Sequence, residues 1–157
     1  SETYGVGSAL LVAKPGGYHV VWRDNPNRRE KAMLLHWNTP IEHDGFLYGS
    51  SGRHTGNAEL RCVEMATGEV QWREPGLSRC SLTYVDGRLI CLGEDGTLRL
   101  LAANPKRYEL LQTLELKDDR GRLLLKPPAW SAPVLANGLL YVRGDDRLVC
   151  LDVRSGP

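Results

Sequence analysis

The chain is predicted to be all-β, assembled from repeated units of short antiparallel strands. Three observations carry that expectation. Compact apolar or aromatic runs, Phe46-Leu-Tyr48, Leu89-Ile-Cys-Leu92 and Leu139-Leu-Tyr-Val142, each follow an Asp-Gly or Asn-Gly pair. Those pairs supply the positive φ angles of a two-residue hairpin turn. The segments around the turns share one frame, and two tryptophans, Trp22 and Trp72, stand fifty positions apart, each closing a short strand.

The first two strands of each unit are read from the turns. Pro40-Ile-Glu-His-Asp-Gly-Phe-Leu-Tyr48 matches Pro133-Val-Leu-Ala-Asn-Gly-Leu-Leu-Tyr141, and Leu82-Thr-Tyr-Val-Asp-Gly-Arg-Leu-Ile90 falls in the same frame. The turn glycines Gly45, Gly87 and Gly138 are 42 and 51 positions apart, which suits four short strands per unit. The third strands contain Cys62, Leu100 and Cys150, at 17, 13 and 12 positions after their turn glycines. The longest of these intervals holds Ser50-Ser-Gly-Arg-His-Thr-Gly56, an insertion read either as a plain loop or as a polar rim loop that contacts a partner. The fourth strands close on Trp22 and Trp72, with Leu110 in the corresponding place of the third unit. Ten residues before Trp22, as Cys62 stands to Trp72, lies Val12, which puts Ala9-Leu-Leu-Val12 in the third strand of the first unit. At about 45 residues per unit, roughly 3.5 units are present: residues 1–30 end one, 37–75 and 79–116 form two more, and 130–157 begin the next.

Cys62-Val-Glu-Met-Ala-Thr-Gly-Glu-Val-Gln-Trp72 resembles the tryptophan-docking motif of pyrroloquinoline-quinone-like β-propellers, whose blades tend to read Ala-Leu-Asp-x-x-Thr-Gly-x-x-x-Trp. Ser81-Leu-Thr-Tyr-Val-Asp-Gly87 and Trp130-Ser-Ala-Pro-Val-Leu-Ala-Asn-Gly138 are similar to stretches of less characterised bacterial propellers in the same group. The resemblance implies a β-propeller of four-stranded antiparallel blades. Propellers close with roughly four to eight blades, so residues 1–157 are expected to form a single partial propeller domain, a fragment of a seven- or eight-bladed ring. Closure then needs missing blades or a second copy of the chain. In this reading Trp22, Gly68 and Trp72 are structural docking residues, because outer strands must reach farther across the widening wedge and tryptophan supplies large apolar area with one donor.

Trp37 and Trp130 each stand eight residues before a turn glycine, in the pattern Trp-x-x-Pro-x-x-x-(Asp or Asn)-Gly. That frame puts both at the entrance to an innermost strand, near the mouth of a central channel, with Arg79 at the equivalent place of the third unit. His36, Trp37, Asn38, Arg79, Trp130 and Ser131 are therefore the candidate ligand- or partner-binding residues. The competing reading is that the two tryptophans close the inner ends of the blades.

No catalytic residues are assigned. His19, His36, His43 and His54 have no metal-binding spacing, and Asp118-Asp119 and Asp145-Asp146 read as solvated turns. The cysteines Cys62, Cys80, Cys91 and Cys150 lack Cys-x-x-Cys spacing and read as buried thiols. Quinoprotein dehydrogenases of the resembled family hold their quinone between a tryptophan floor and a vicinal disulfide, beside Ca²⁺ and a catalytic aspartate. No adjacent cysteines occur here, so no cofactor is evident. Charged residues are a quarter of the chain and leave a formal charge of +1, which argues against nucleic-acid binding by bulk charge. No stretch approaches the roughly 18 apolar residues of a membrane span. The expected function is a non-catalytic propeller module that acts as a binding or assembly scaffold for a protein or small-molecule ligand at the channel mouth. The alternative is part of a quinoprotein-like alcohol or sugar dehydrogenase whose pyrroloquinoline quinone and Ca²⁺ sit in other blades. The resemblance implies a periplasmic or secreted bacterial protein, although no signal peptide is visible.

Overall fold

The computed structural model describes Ser1, residues 4–26 and residues 31–154. Thirteen strands appear among them, in four antiparallel sheets. A two-stranded sheet pairs β1 (Ala9–Lys14) with β2 (Gly17–Arg23). The second sheet is a meander of β3 (Ile41–His43), β4 (Phe46–Ser51), β5 (Glu59–Glu64) and β6 (Val70–Pro75). The third repeats it with β7 (Cys80–Val85), β8 (Arg88–Gly93), β9 (Thr97–Ala102) and β10 (Leu110–Glu115), and the fourth holds β11 (Val134–Ala136), β12 (Leu139–Arg143) and β13 (Leu148–Asp152). The chain is all-β, with antiparallel sheets of two, four, four and three strands in chain order.

The turns form where the sequence demands them. Asp44-Gly45, Asp86-Gly87 and Asn137-Gly138 all have positive φ at both residues, at 51° and 82°, 45° and 74°, and 53° and 74°. Aspartate and asparagine are the non-glycine residues that tolerate this region best, so each turn closes a two-residue hairpin with the twist of its strands.

Val12 lies in β1, the strand expected there, and pairs with His19, while Trp22 pairs with Leu10. The β1–β2 ladder continues three pairs beyond Leu11↔Val20 and turns at Pro15-Gly16, whereas the β5–β6 ladder stops short at the Met65–Gly68 turn. In the third sheet Gln112, not Leu110, faces Leu100 as Trp72 faces Cys62. The connection after β9 is longer and displaces the frame by two residues. Each of the three ladders also carries a one-residue bulge at this level, leaving Val21, Gln71 and Leu111 unmatched. A bulge bends the strand and increases its twist.

Contacts divide the chain into two compact units, the first of Ser1–Arg79 with Asn104–Tyr108 and the second of Cys80–Ala103 with Glu109–Pro157. In the first, Ala32, Met33, Leu35 and Val63 form a core against which Trp22, Leu47 and Val70 pack. In the second, Leu92, Leu98, Leu116, Leu125, Ala129, Leu140 and Val142 do the same. Middle strands carry the burial and outer ones little: β8 is buried along most of its length, while every residue of β10 is exposed.

Candidate functional site

Trp22, Gly68 and Trp72 all lie in the first unit. The Trp22 indole N–H donates to the Met65 carbonyl at 2.8 Å, and its ring lies against Gly68. Gly68 has φ +79°, and a Cβ there would stand 2.9 Å from Trp22 Cε3. Glycine is needed at this position twice over, for the backbone and for the ring. The Thr67 hydroxyl holds the same turn by accepting the Glu69 N–H at 3.1 Å and donating to Glu64 at 2.6 Å. Trp72 repeats the arrangement: its N–H donates to the Asn104 carbonyl at 2.9 Å, and its ring meets Tyr108 edge-on at 5.9 Å between centroids. Tyr48 closes the other side at 6.1 Å. Asn104–Tyr108 belongs to the first unit through these contacts.

Of the six candidate binding residues, four lie in the first unit and two in the second. Arg79 donates from Nη1 to the Arg53 carbonyl at 2.9 Å and lies 3.2 Å from His36 Nδ1. A guanidinium only donates, so Nδ1 is the acceptor and the Nε2–H of His36 is directed to the Tyr4 hydroxyl, 3.4 Å away. The Tyr4 and His36 rings meet edge-on at 5.9 Å, and the Arg53 guanidinium covers Tyr4 at 4.6 Å from the ring centroid. Asn38 accepts the His36 backbone N–H and donates to the Ser50 carbonyl at 2.9 Å. Trp37 is half-buried between these two residues in sequence. In the second unit the Trp130 N–H donates to Glu94 Oε2 at 3.1 Å, its carbonyl accepts from the Ser81 hydroxyl at 3.0 Å, and half of the residue stays exposed. Ser131 is exposed beside it.

The first unit also holds a cleft of about 500 Å³, lined by Tyr4, Arg53, His54, Glu59, Arg61 and Arg73 among others. Its floor is β5 and β6, where Arg61 and Arg73 are directly opposite. Arg61 is nearly buried and saturated: it pairs with Glu59 and donates from Nη1 to the carbonyls of Lys31 and Ala32 at 2.8 and 2.9 Å. Burial lowers its pKa, Glu59 opposes that, and Arg73 adds to it. The rim is the insertion loop. Gly52 has φ +123°, and a Cβ there would come within 2.7 Å of the Asn57 carbonyl oxygen. The 3₁₀ turn Thr55–Asn57 then folds back through the Asn57 side chain, which accepts the His54 N–H at 3.0 Å. The cleft lies outside the residues that the repeat frame singles out. The signal available was strand alternation: Arg61 precedes Cys62 and Arg73 follows Trp72, so both side chains leave the face that carries Cys62 and Trp72.

Three thiols are buried and Cys150, on the outer strand β13, is exposed, contrary to the expectation of four buried ones. Cys62 is pushed up to about 11 by burial, against a hydrogen bond with Tyr48 that lowers it. The hydrogen bond with Cys80, reinforced by burial, raises the Cys91 thiol. Among the described residues no three of His, Cys, Asp and Glu converge to hold a metal ion. No helix there is long and apolar enough to cross a membrane, a statement that does not bear on β-barrels.

No family model matches this chain, and no curated protein does. Solved structures similar to it include the computationally designed Ika8 protein, with 12% identity and a TM-score of 0.49, covering 73% of this chain and 32% of that one. BamB from Moraxella catarrhalis matches with 16% identity and a TM-score of 0.42, covering 72% of this chain and 41% of that one. The chain thus spans less than half the length of either.

Proposed function

We propose that the chain is a non-catalytic, blade-built binding scaffold in an extracytoplasmic bacterial protein. One observation carries the reading: the polar groups of the candidate residues are directed at the chain's own backbone and side chains. Asn38 is held by Ser50, Trp130 by Glu94 and Ser81, and Arg79 by the Arg53 carbonyl and His36. Such groups shape a surface; they are not paired as acid and base at a reacting atom. The extracytoplasmic setting rests on the resemblance of the docking repeats.

The test is titration of the full-length protein with pyrroloquinoline quinone and Ca²⁺, following the quinone absorbance and dye reduction in the presence of alcohols and sugars. No binding and no reduction are expected. Quinone-dependent dye reduction would replace the scaffold with the dehydrogenase.

A further inference from the structure

We infer that the arginine cleft of the first unit binds an acidic peptide segment, through two carboxylates taken by Arg53 and Arg73. The inference rests on the scaffold reading and names the chemistry of the partner. Like charges placed directly opposite on neighbouring strands are destabilising, and Arg61 faces Arg73 in this way. Among the described residues that line the cleft, Glu59 is the one carboxylate, and it is spent on Arg61. Among the described residues the Arg73 side chain has no hydrogen bond or ion pair, and the Arg53 guanidinium has only the Tyr4 ring beneath it. The cleft therefore carries an excess of positive charge with two unengaged, donor-rich forks.

The geometry favours a peptide over a single small anion. Arg61 is committed to Glu59 and to the carbonyls of Lys31 and Ala32, so the three guanidiniums do not converge on one ion. The two available forks come from different places, one from the insertion loop and one from β6. A space of about 500 Å³ takes several side chains, far more than one phosphate. Strand β6 is also the outer strand of its sheet, a position from which a backbone can pair with an extended segment. Guanidinium and carboxylate match as planar, two-pronged partners.

Fluorescence anisotropy of a labelled Asp/Glu-rich decapeptide, titrated with the protein at low salt, tests this. Arg73→Glu is expected to weaken binding by about tenfold or more, and the exposed-loop change Arg53→Gln by about threefold to tenfold. Arg120→Glu makes the same change in net charge at an exposed site of the second unit and should alter affinity less than about twofold. Binding should weaken as salt is raised. Should Arg73→Glu fail to fold, the Arg53→Gln result decides. Equal losses in the Arg120 and cleft variants, or no peptide binding, would overturn the inference. So would inorganic phosphate that displaces the peptide at concentrations comparable to the peptide's own, since the ligand would then be a free anion. Quinone-dependent dye reduction would sink the scaffold reading while leaving the peptide titration to stand or fall separately.

Discussion

Replacing Gly68 with alanine tests the docking geometry most directly. Two costs are expected. Alanine at φ +79° enters the left-handed region at about 1–2 kcal/mol. Its Cβ would also lie 2.9–3.0 Å from three carbons of the Trp22 ring, where carbon contacts settle at about 3.5–4.0 Å. The indole must retreat by the difference, which strains or breaks the 2.8 Å bond to the Met65 carbonyl, a bond worth about 1 kcal/mol net. The total is about 2–3 kcal/mol. Gly45 provides the comparison within the same unit: its φ is +82°, yet a methyl placed there would meet nothing within 4 Å, so Gly45→Ala should cost only the backbone term of about 1–2 kcal/mol. Urea unfolding followed by far-UV circular dichroism measures both. Adding Trp22→Leu should abolish the excess, because the ring that the methyl strikes is gone, and the double-mutant cycle reads that coupling. The reasoning fails if Gly68→Ala costs no more than Gly45→Ala, or if the excess survives in the Trp22→Leu background.

Two further outcomes follow from the side-chain environments. With Ellman's reagent at pH 8, the native protein should show one fast thiol, Cys150, with Cys62, Cys80 and Cys91 reacting only on unfolding; fast reaction that persists in Cys150→Ser would contradict the burial. The carboxyls of Asp118, Asp146 and Asp152 are held below 3.8, by the Arg122 backbone N–H first for Asp118 and by the Arg147 and Arg154 side chains for the others. Their folded values lie below the unfolded ones, so the associated stability is present above the unfolded value and is lost as pH falls through the folded ones; carboxyl NMR titrations with midpoints at or above 3.8 would refute it.

What could be read from the chain was whatever is encoded locally. Asp44-Gly45, Asp86-Gly87 and Asn137-Gly138 place their hairpins because the backbone angles are a property of those residues themselves. The tryptophan spacing disclosed the blades for a similar reason. Alignment failed where loop length varies: the connection after β9 moved the equivalent position from Leu110 to Gln112. That shift has no local signal, since hydrogen-bond register depends on both strands at once. The receiving carbonyls at Met65 and Asn104 were likewise unreadable, because they lie 43 and 32 residues from their tryptophans. The arginine cleft escaped notice because Arg53, Arg61 and Arg73 look like ordinary surface charges until the β5–β6 register sets two of them face to face.

The tryptophan contacts also redefine what the inherited repeat is. Each indole leaves the outer strand on which it resides and is received by a later stretch of chain: Trp22 by the Met65–Gly68 turn, Trp72 by Asn104–Tyr108. A gene segment cut at sheet borders would carry a peg without its socket and a socket without its peg. A segment running from one tryptophan through the receiving turn carries both. Duplication or recombination that preserves packing therefore favours breakpoints inside a sheet, between its third and fourth strands, so that blades are copied as overlapping links of a chain instead of as separate tiles.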